Sequence, residues 1–166
     1  MKLKDDYYLI VPFLLGGVLV RANQDFILES TFIKGKSLRS CALPRSSQRA
    51  EIPLLKEAKK QLFHYFEGKS RDLSLPLDPG LGTPFQRSVW LALQGIPYGE
   101  TCSYKDIAVA INNPKGSRAV GMANNKNPFV LFAPCHRVVQ KNGELGGFGA
   151  GCRLKKWLLN LEGVKI

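Results

Sequence analysis

The sequence predicts an α/β chain in two parts: a small N-terminal domain with an antiparallel sheet and a helix, then a mostly helical C-terminal domain of winged-helix type. Three observations carry this. Short β-favouring runs crowd residues 7–33; a stretch rich in Pro and Gly, LPLDPGLGTP at 75–84, separates two well-patterned segments; and two short helices joined by a tight turn precede a hairpin signal. The boundary is placed near residue 80, giving domains 1–80 and 81–166. With 166 residues and 45% hydrophobic content, the chain has enough apolar surface to bury a core.

Taken in order, the apolar runs Tyr8 to Val11, Val18 to Val20 and Phe26 to Phe32 are parted by Gly16-Gly17 and by Asn23 to Asp25, and predict a small antiparallel sheet. Residues 35–49, rich in Ser, Lys and Arg, predict a mobile connection. A helix from about Pro53 to Phe66 follows from the spacing of Leu55, Ala58, Leu62 and Phe66, with Gly68 marking its end and His64 as a surface or core imidazole. Beyond the boundary Thr83 caps a helix that has Pro84 at its first position and an apolar stripe of Phe85, Val89, Trp90 and Leu93. Ser103 and Asp106 form a capping-box pattern for the next helix, whose buried side is Ile107, Ala108 and Ile111. A second short helix runs from Gly116 to about Lys126 and stops before Asn127-Pro128, because a residue preceding proline avoids the α region. Val138 to Gln140 and Glu144-Leu145 flank Lys141-Asn142-Gly143 as a hairpin, and GGFGAG leads into a last helix from about Arg153 to Glu162.

Composition narrows the function. The net charge is +11, distributed as +4 before residue 80 and +7 after it, which favours a polyanionic partner. No apolar run approaches the roughly 18 residues of a membrane span, and no apolar stretch follows the first charges as in a signal peptide, so a soluble, cytoplasmic protein is expected. The four cysteines, Cys41, Cys102, Cys135 and Cys152, form no C-x-x-C pair, and His64 and His136 are the only imidazoles. Free thiols are expected, with no metal.

The segment NPFVLFAPCHRVV at 127–139 sets Cys135 beside His136 and Arg137. A thiol near its ordinary pKa of about 8.5 is only a few per cent thiolate at neutral pH, so a nucleophilic cysteine needs a base or a positive environment. His136 and Arg137 could supply both. In an extended segment neighbouring side chains point to opposite faces, so Cys135 and His136 would communicate through a bend or a bridging water. By itself Pro-Cys-His fits a buried cysteine beside a chance histidine better than it fits a nucleophile.

The surrounding segments decide otherwise. TPFQRSVWLALQGIPYGETCSYKDIA, NPKGSRAVGMANNKNPF, APCHRVV, GELGGFGAG and KKWLLNLEG stand in order, and the chain resembles the O6-alkylguanine-DNA alkyltransferases, the direct-reversal DNA repair proteins. The resemblance is dense over residues 83–163 and extends to residues 1–80 only in layout, where it implies a ribonuclease-H-like domain. It implies Cys135 as the acceptor of an alkyl group from O6 of guanine, and of O4 of thymine, in a single irreversible transfer per molecule that needs no cofactor. His136 would draw the thiol proton through a water, with Glu162 orienting or charging the histidine. Tyr104 would offer its hydroxyl to the departing base.

The same resemblance implies a monomer that docks in the minor groove of double-stranded DNA and rotates the damaged nucleotide out of the stack. Arg118 would fill the gap, while the small residues Ser117, Ala119 and Gly121 let the helix approach the sugar-phosphate walls. Asn127, with Pro128, would fix the turn that supports the site. Val130 and Pro134 would line one wall of the base pocket and Phe148 with Gly149 the other. Many relatives carry tyrosine and a small hydroxyl residue where this chain has Phe148 and Gly149; backbone N–H groups of Val138, Gly149 or Cys135 could replace the lost hydrogen bond to O6. Three rivals stand beside this reading: a recognition-only relative, which would lack the acceptor thiol, a winged-helix regulator, and a cysteine hydrolase, which would turn over.

Overall fold

The computed structural model describes residues 6–33, 47–49 and 52–166, arranged as two compact units. The first comprises the chain up to Asp78 together with Pro128–Val130, and the second holds Pro79–Asn127 and Leu131–Ile166.

In the first unit β1 (Asp6–Phe13), β2 (Gly16–Ala22) and β3 (Ile27–Ile33) form antiparallel neighbours. The Asn23 side chain ends β2, its Oδ1 accepting from the backbone N–H of Asp25 at 2.9 Å and of Phe26 at 2.7 Å, the local bonding that makes Asn a turn residue. A short β4 (Ser47–Arg49) pairs in parallel with β1, giving the order β3-β2-β1-β4. The sequence reading of 35–49 as a connection therefore needs correction at its end: three of those residues join the sheet, and the rest lie outside the described residues. Strands this short carry no periodicity, and only the partner strand selects them.

α1 (Pro53–Phe66) starts on Pro53, at the position where a missing N–H costs nothing. It buries Leu55, Ala58, Leu62 and Tyr65 completely, alongside Val11, Val18, Val20 and Ile27 of the sheet. Tyr65 takes the core place that spacing gave to Phe66, which instead stacks on Phe13 with ring centroids 4.7 Å apart. His64 is exposed. The outer edge of β3 is not left open: Ile27 pairs with residues 76–78, and Ser30 donates its N–H to Pro128 O at 2.7 Å and its hydroxyl to Val130 O at 2.8 Å.

The second unit is built from α2 (Pro84–Gln94), α3 (Tyr104–Ala110), α4 (Ser117–Asn125) and α5 (Cys152–Leu161). Both expected caps form as reciprocal boxes, Thr83 with Gln86 and Ser103 with Asp106. Val89, Trp90 and Leu93 are buried, and Trp90 Nε1 donates to Ala123 O at 3.0 Å, fixing α2 against α4. Phe85 and Ile111, expected in the core, are only half-buried.

The expected hairpin after the cysteine does not form as a strand pair. Val138–Val139 is β6, and it pairs in parallel with β5 (Cys102–Ser103), while residues 140–144 close a turn through Gln140 N–H to Glu144 O at 2.8 Å. The outcome follows from burial: Val138 and Val139 are buried, whereas Gln140 to Glu144 are exposed and gain nothing from a ladder in water.

Candidate functional site

Residues 131–139 are buried without interruption, and the buried polar side chains of the second unit gather around them. Cys135–Arg137 forms a single 3₁₀ turn, not the extended segment assumed from sequence, so Cys135 and His136 are not forced to opposite faces of a strand. Cys135 is 8% exposed and His136 1%. Just upstream, Leu131 is buried with φ at 71°, a left-handed backbone that is costly for a residue with a branched side chain.

Glu162 follows α5 and lies at the centre of this group. His136 Nε2 lies 2.8 Å from Glu162 Oε1. Arg137 donates from Nε to Oε2 and from Nη2 to Oε1, both at 2.9 Å, and its Nη1 donates to Ile96 O at 2.6 Å. The Gly99 N–H adds a bond to Oε2 at 3.3 Å. So held by a bidentate guanidinium, Glu162 is an ionised acceptor. The consequence for the imidazole is definite: Nε2 must carry the hydrogen it gives to Oε1, and Nδ1 keeps its lone pair. Burial pushes the His136 pKa down against the raising effect of Glu162, so the ring is neutral near pH 7. Its Nδ1 is buried with no hydrogen-bond partner among the described residues.

Burial raises the Cys135 pKa, and four groups oppose it: the Asn127 side chain, the Lys155 charge and the backbone N–H groups of Cys135 and His136. Lys155 is fully buried and donates from Nζ to Val138 O at 2.5 Å and to Leu145 O. With His136 neutral, Arg137, Lys155 and Glu162 leave one net positive charge in this buried group. That positive charge opposes the cost of burying a thiolate at Cys135.

Of the other residues expected at the site, Asn127 and Tyr104 interact with Cys135. Asn127, besides facing the thiol, donates from Nδ2 to Ala133 O at 2.7 Å and so fixes the loop that ends at Cys135. Tyr104 opens α3 and feels the charge of Cys135; burial together with that charge raises its pKa, so the phenol keeps its proton. Its hydroxyl is only 3.4 Å from where a Cβ on Gly146 would stand, and its ring is 3.8 Å from where a Cβ on Gly121 of α4 would stand. Pro134 and Val138 are buried on either side of the turn, Phe148 is half-buried, and space around Gly149 is open. Two of the three backbone donors considered as substitutes for the lost side-chain bond are engaged: Cys135 N–H with Ala133 O at 2.7 Å, and Val138 N–H with Cys135 O. Gly149 remains. Val130 belongs to the first unit, where its N–H bonds Ser30 O at 3.3 Å. Arg118 is exposed on α4, with Ser117, Ala119 and Gly121 half-buried beside it.

Sequence reasoning missed the role of Lys155 and misread Arg137, whose charge is directed at Glu162. A signal was available: Lys155 stands on the stripe of α5 that also carries Leu158 and Leu159, and Glu162 follows seven residues on as the cap of that helix, so one charge sits on its apolar face and another at its end. Among the described residues no three His, Cys, Asp or Glu side chains are grouped to hold a metal ion, and no helix is long and apolar enough to cross a membrane.

Comparison with known proteins agrees with this geometry. Residues 84–164 match the family described as 6-O-methylguanine DNA methyltransferase, DNA binding domain, and residues 7–79 match its ribonuclease-like domain. The methylated-DNA--protein-cysteine methyltransferase of Methanosarcina acetivorans is 44% identical, over 95% of this chain and 98% of the relative. The constitutive enzyme of the same name from Bacillus subtilis is 41% identical over 96% of each. Among solved structures, Mycobacterium tuberculosis OGT in complex with DNA is similar with a TM-score of 0.83 at 34% identity, covering 94% of this chain and 92% of that one.

Proposed function

The chain belongs to the 6-O-methylguanine DNA methyltransferase family, and from that premise we infer that it repairs DNA by direct reversal, taking the alkyl group from O6 of guanine onto the sulfur of Cys135. The observation that carries the assignment of the acceptor is the His136 ring. Its Nε2 is locked to Glu162 and its Nδ1 is buried and unpartnered among the described residues, in the residue next to a thiol that burial holds protonated, against the opposing effect of Asn127 and Lys155, until a base takes its proton.

In the step itself the S–H proton passes through a bridging water to His136 Nδ1, and the imidazolium that forms is stabilised by Glu162. Sulfur then attacks the saturated carbon; the carbon–O6 bond breaks as the carbon–sulfur bond forms. Guanine leaves with negative charge on O6 and N1, and Tyr104, still protonated, donates a hydrogen bond to it. The proton lost by sulfur returns to the base, so atoms and charge balance. The thioether does not hydrolyse, and each molecule acts once.

DNA is the partner. A base inside a duplex cannot reach a thiol that is 8% exposed, so the nucleotide is rotated out of the stack, at a cost of a few kcal/mol. In this reading α4 docks in the minor groove, Arg118 enters the gap, and Ser117, Ala119 and Gly121 allow close approach. O4 of thymine is a second substrate of the same displacement.

Intact-protein mass after mixing with duplex containing O6-methylguanine tests the assignment. One methyl per chain on Cys135 is expected, with Cys135→Ser gaining none while it still binds the duplex. An adduct on another residue, or release of product with turnover, would overturn it.

A further inference from the structure

We propose that Met122 is a second groove-contacting side chain, packing against the deoxyribose wall beside Arg118 and helping to hold the groove open while the damaged nucleotide is outside the stack. The inference rests on the docking of α4 proposed above and deepens it.

Met122 is 64% exposed, on a nine-residue helix whose inward side is Val120 and Ala123, buried to 0% and 2% exposure. Arg118, Met122 and Asn125 are all exposed and recur at i, i+4 and i+7, so they share one face. Four residues of helix advance the chain by about 6 Å, placing Met122 one turn beyond the arginine. The minor groove is about 6 Å wide and a helix with side chains about 10 Å across, so a helix can lie along its mouth only where its side chains are small. Ser117, Ala119 and Gly121 meet that condition; Met122 does not. A large side chain beside Arg118 must either block docking or be seated in the groove. Methionine suits the second outcome, because it is unbranched and polarizable and moulds itself to irregular apolar surface such as the C–H edges of sugars.

Other large apolar side chains are exposed too, Leu14, Leu91 and Val109 among them, but none shares a helix face with Arg118. The electrostatic setting identifies the occupant as nucleic acid. Residues 107–143 contain five Lys and Arg and no Asp or Glu, and of these Lys115, Arg118 and Lys126 are exposed on or beside α4.

The test uses the full chain as Met122→Ala, Met122→Leu and Arg118→Ala, with single-turnover transfer measured from O6-methylguanine in duplex and in single-stranded oligonucleotides. Met122→Ala should lower the ratio of duplex to single-strand rate by roughly fivefold, the effect of losing part of one apolar side chain's burial, and Met122→Leu should restore most of it. If Arg118→Ala lowers the ratio and Met122→Ala does not, Met122 has no such role although α4 docks. If Met122→Ala slows both substrates equally, its role is structural and the proposal fails. If neither variant changes the ratio, the docking of α4 fails and the proposal with it.

Discussion

At the scale of single residues, the site is organised by Glu162, whose carboxylate decides the tautomer of His136 through the bond at 2.8 Å. Protonating Nδ1 removes the base, so the transfer rate should fall on the acid side as pH drops through the lowered pKa of His136. Stability moves the same way: the unfolded chain takes up this proton near 6.5, while the folded chain resists it until lower pH. The His136 contribution is therefore complete above that value and lost as pH falls through the folded one, measurable by urea unfolding across this range. Glu162→Gln leaves Arg137 short of an acceptor in a buried place and should cost about 3 kcal/mol in urea unfolding, together with most of the transfer rate. Lys155→Met should raise the Cys135 pKa and slow transfer about tenfold at neutral pH, the equivalent of one pKa unit, with recovery at higher pH; a pH–rate profile that does not move would show that Lys155 only packs. The sequence made Cys135, His136, Tyr104 and Glu162 legible because they stand in quotable segments. It hid Lys155 and the true partner of Arg137, because a charge in a helix reads as solvated until the packing around that helix is known.

At the scale of elements, what could be read was what is local. Thr83 and Ser103 announce α2 and α3 because a cap bonds backbone N–H groups two or three residues away. Ser103→Ala should lower stability by about 1 kcal/mol in urea, a typical cap value, and should leave the stoichiometry of one alkyl per chain unchanged by mass. Gly82 gives a steeper case, since its φ is 75° and a Cβ would lie 2.6 Å from the Trp90 ring; Gly82→Ala should cost more than the cap. The elements that escaped the sequence are those chosen by remote partners. β4 exists because β1 offers an edge, and β6 left its expected hairpin for β5, a partner far away in the chain. Through that pairing Ser103, the residue before Tyr104, is in register with Val139, so the phenol and the sulfur are held from both ends of one short ladder.

At the scale of the whole molecule, the excess of positive charge is the property most directly read from sequence, and it sets how the protein meets its partner. Duplex affinity should fall steeply and linearly in log–log form with salt, by at least tenfold between about 50 and 200 mM; a flat dependence in a filter-binding or anisotropy titration would separate the charge from DNA binding. The two-part layout was legible from the Pro- and Gly-rich stretch, but the traffic of the chain between the parts was not. Pro128–Val130 leaves the second unit to finish the outer edge of β3, and the backbone returns through Leu131. Neither fold is thus one uninterrupted length of gene. A fission near residue 80, or an exchange of halves with another gene, would strip Ser30 of its hydrogen-bonding neighbours and carry them off with the reactive half.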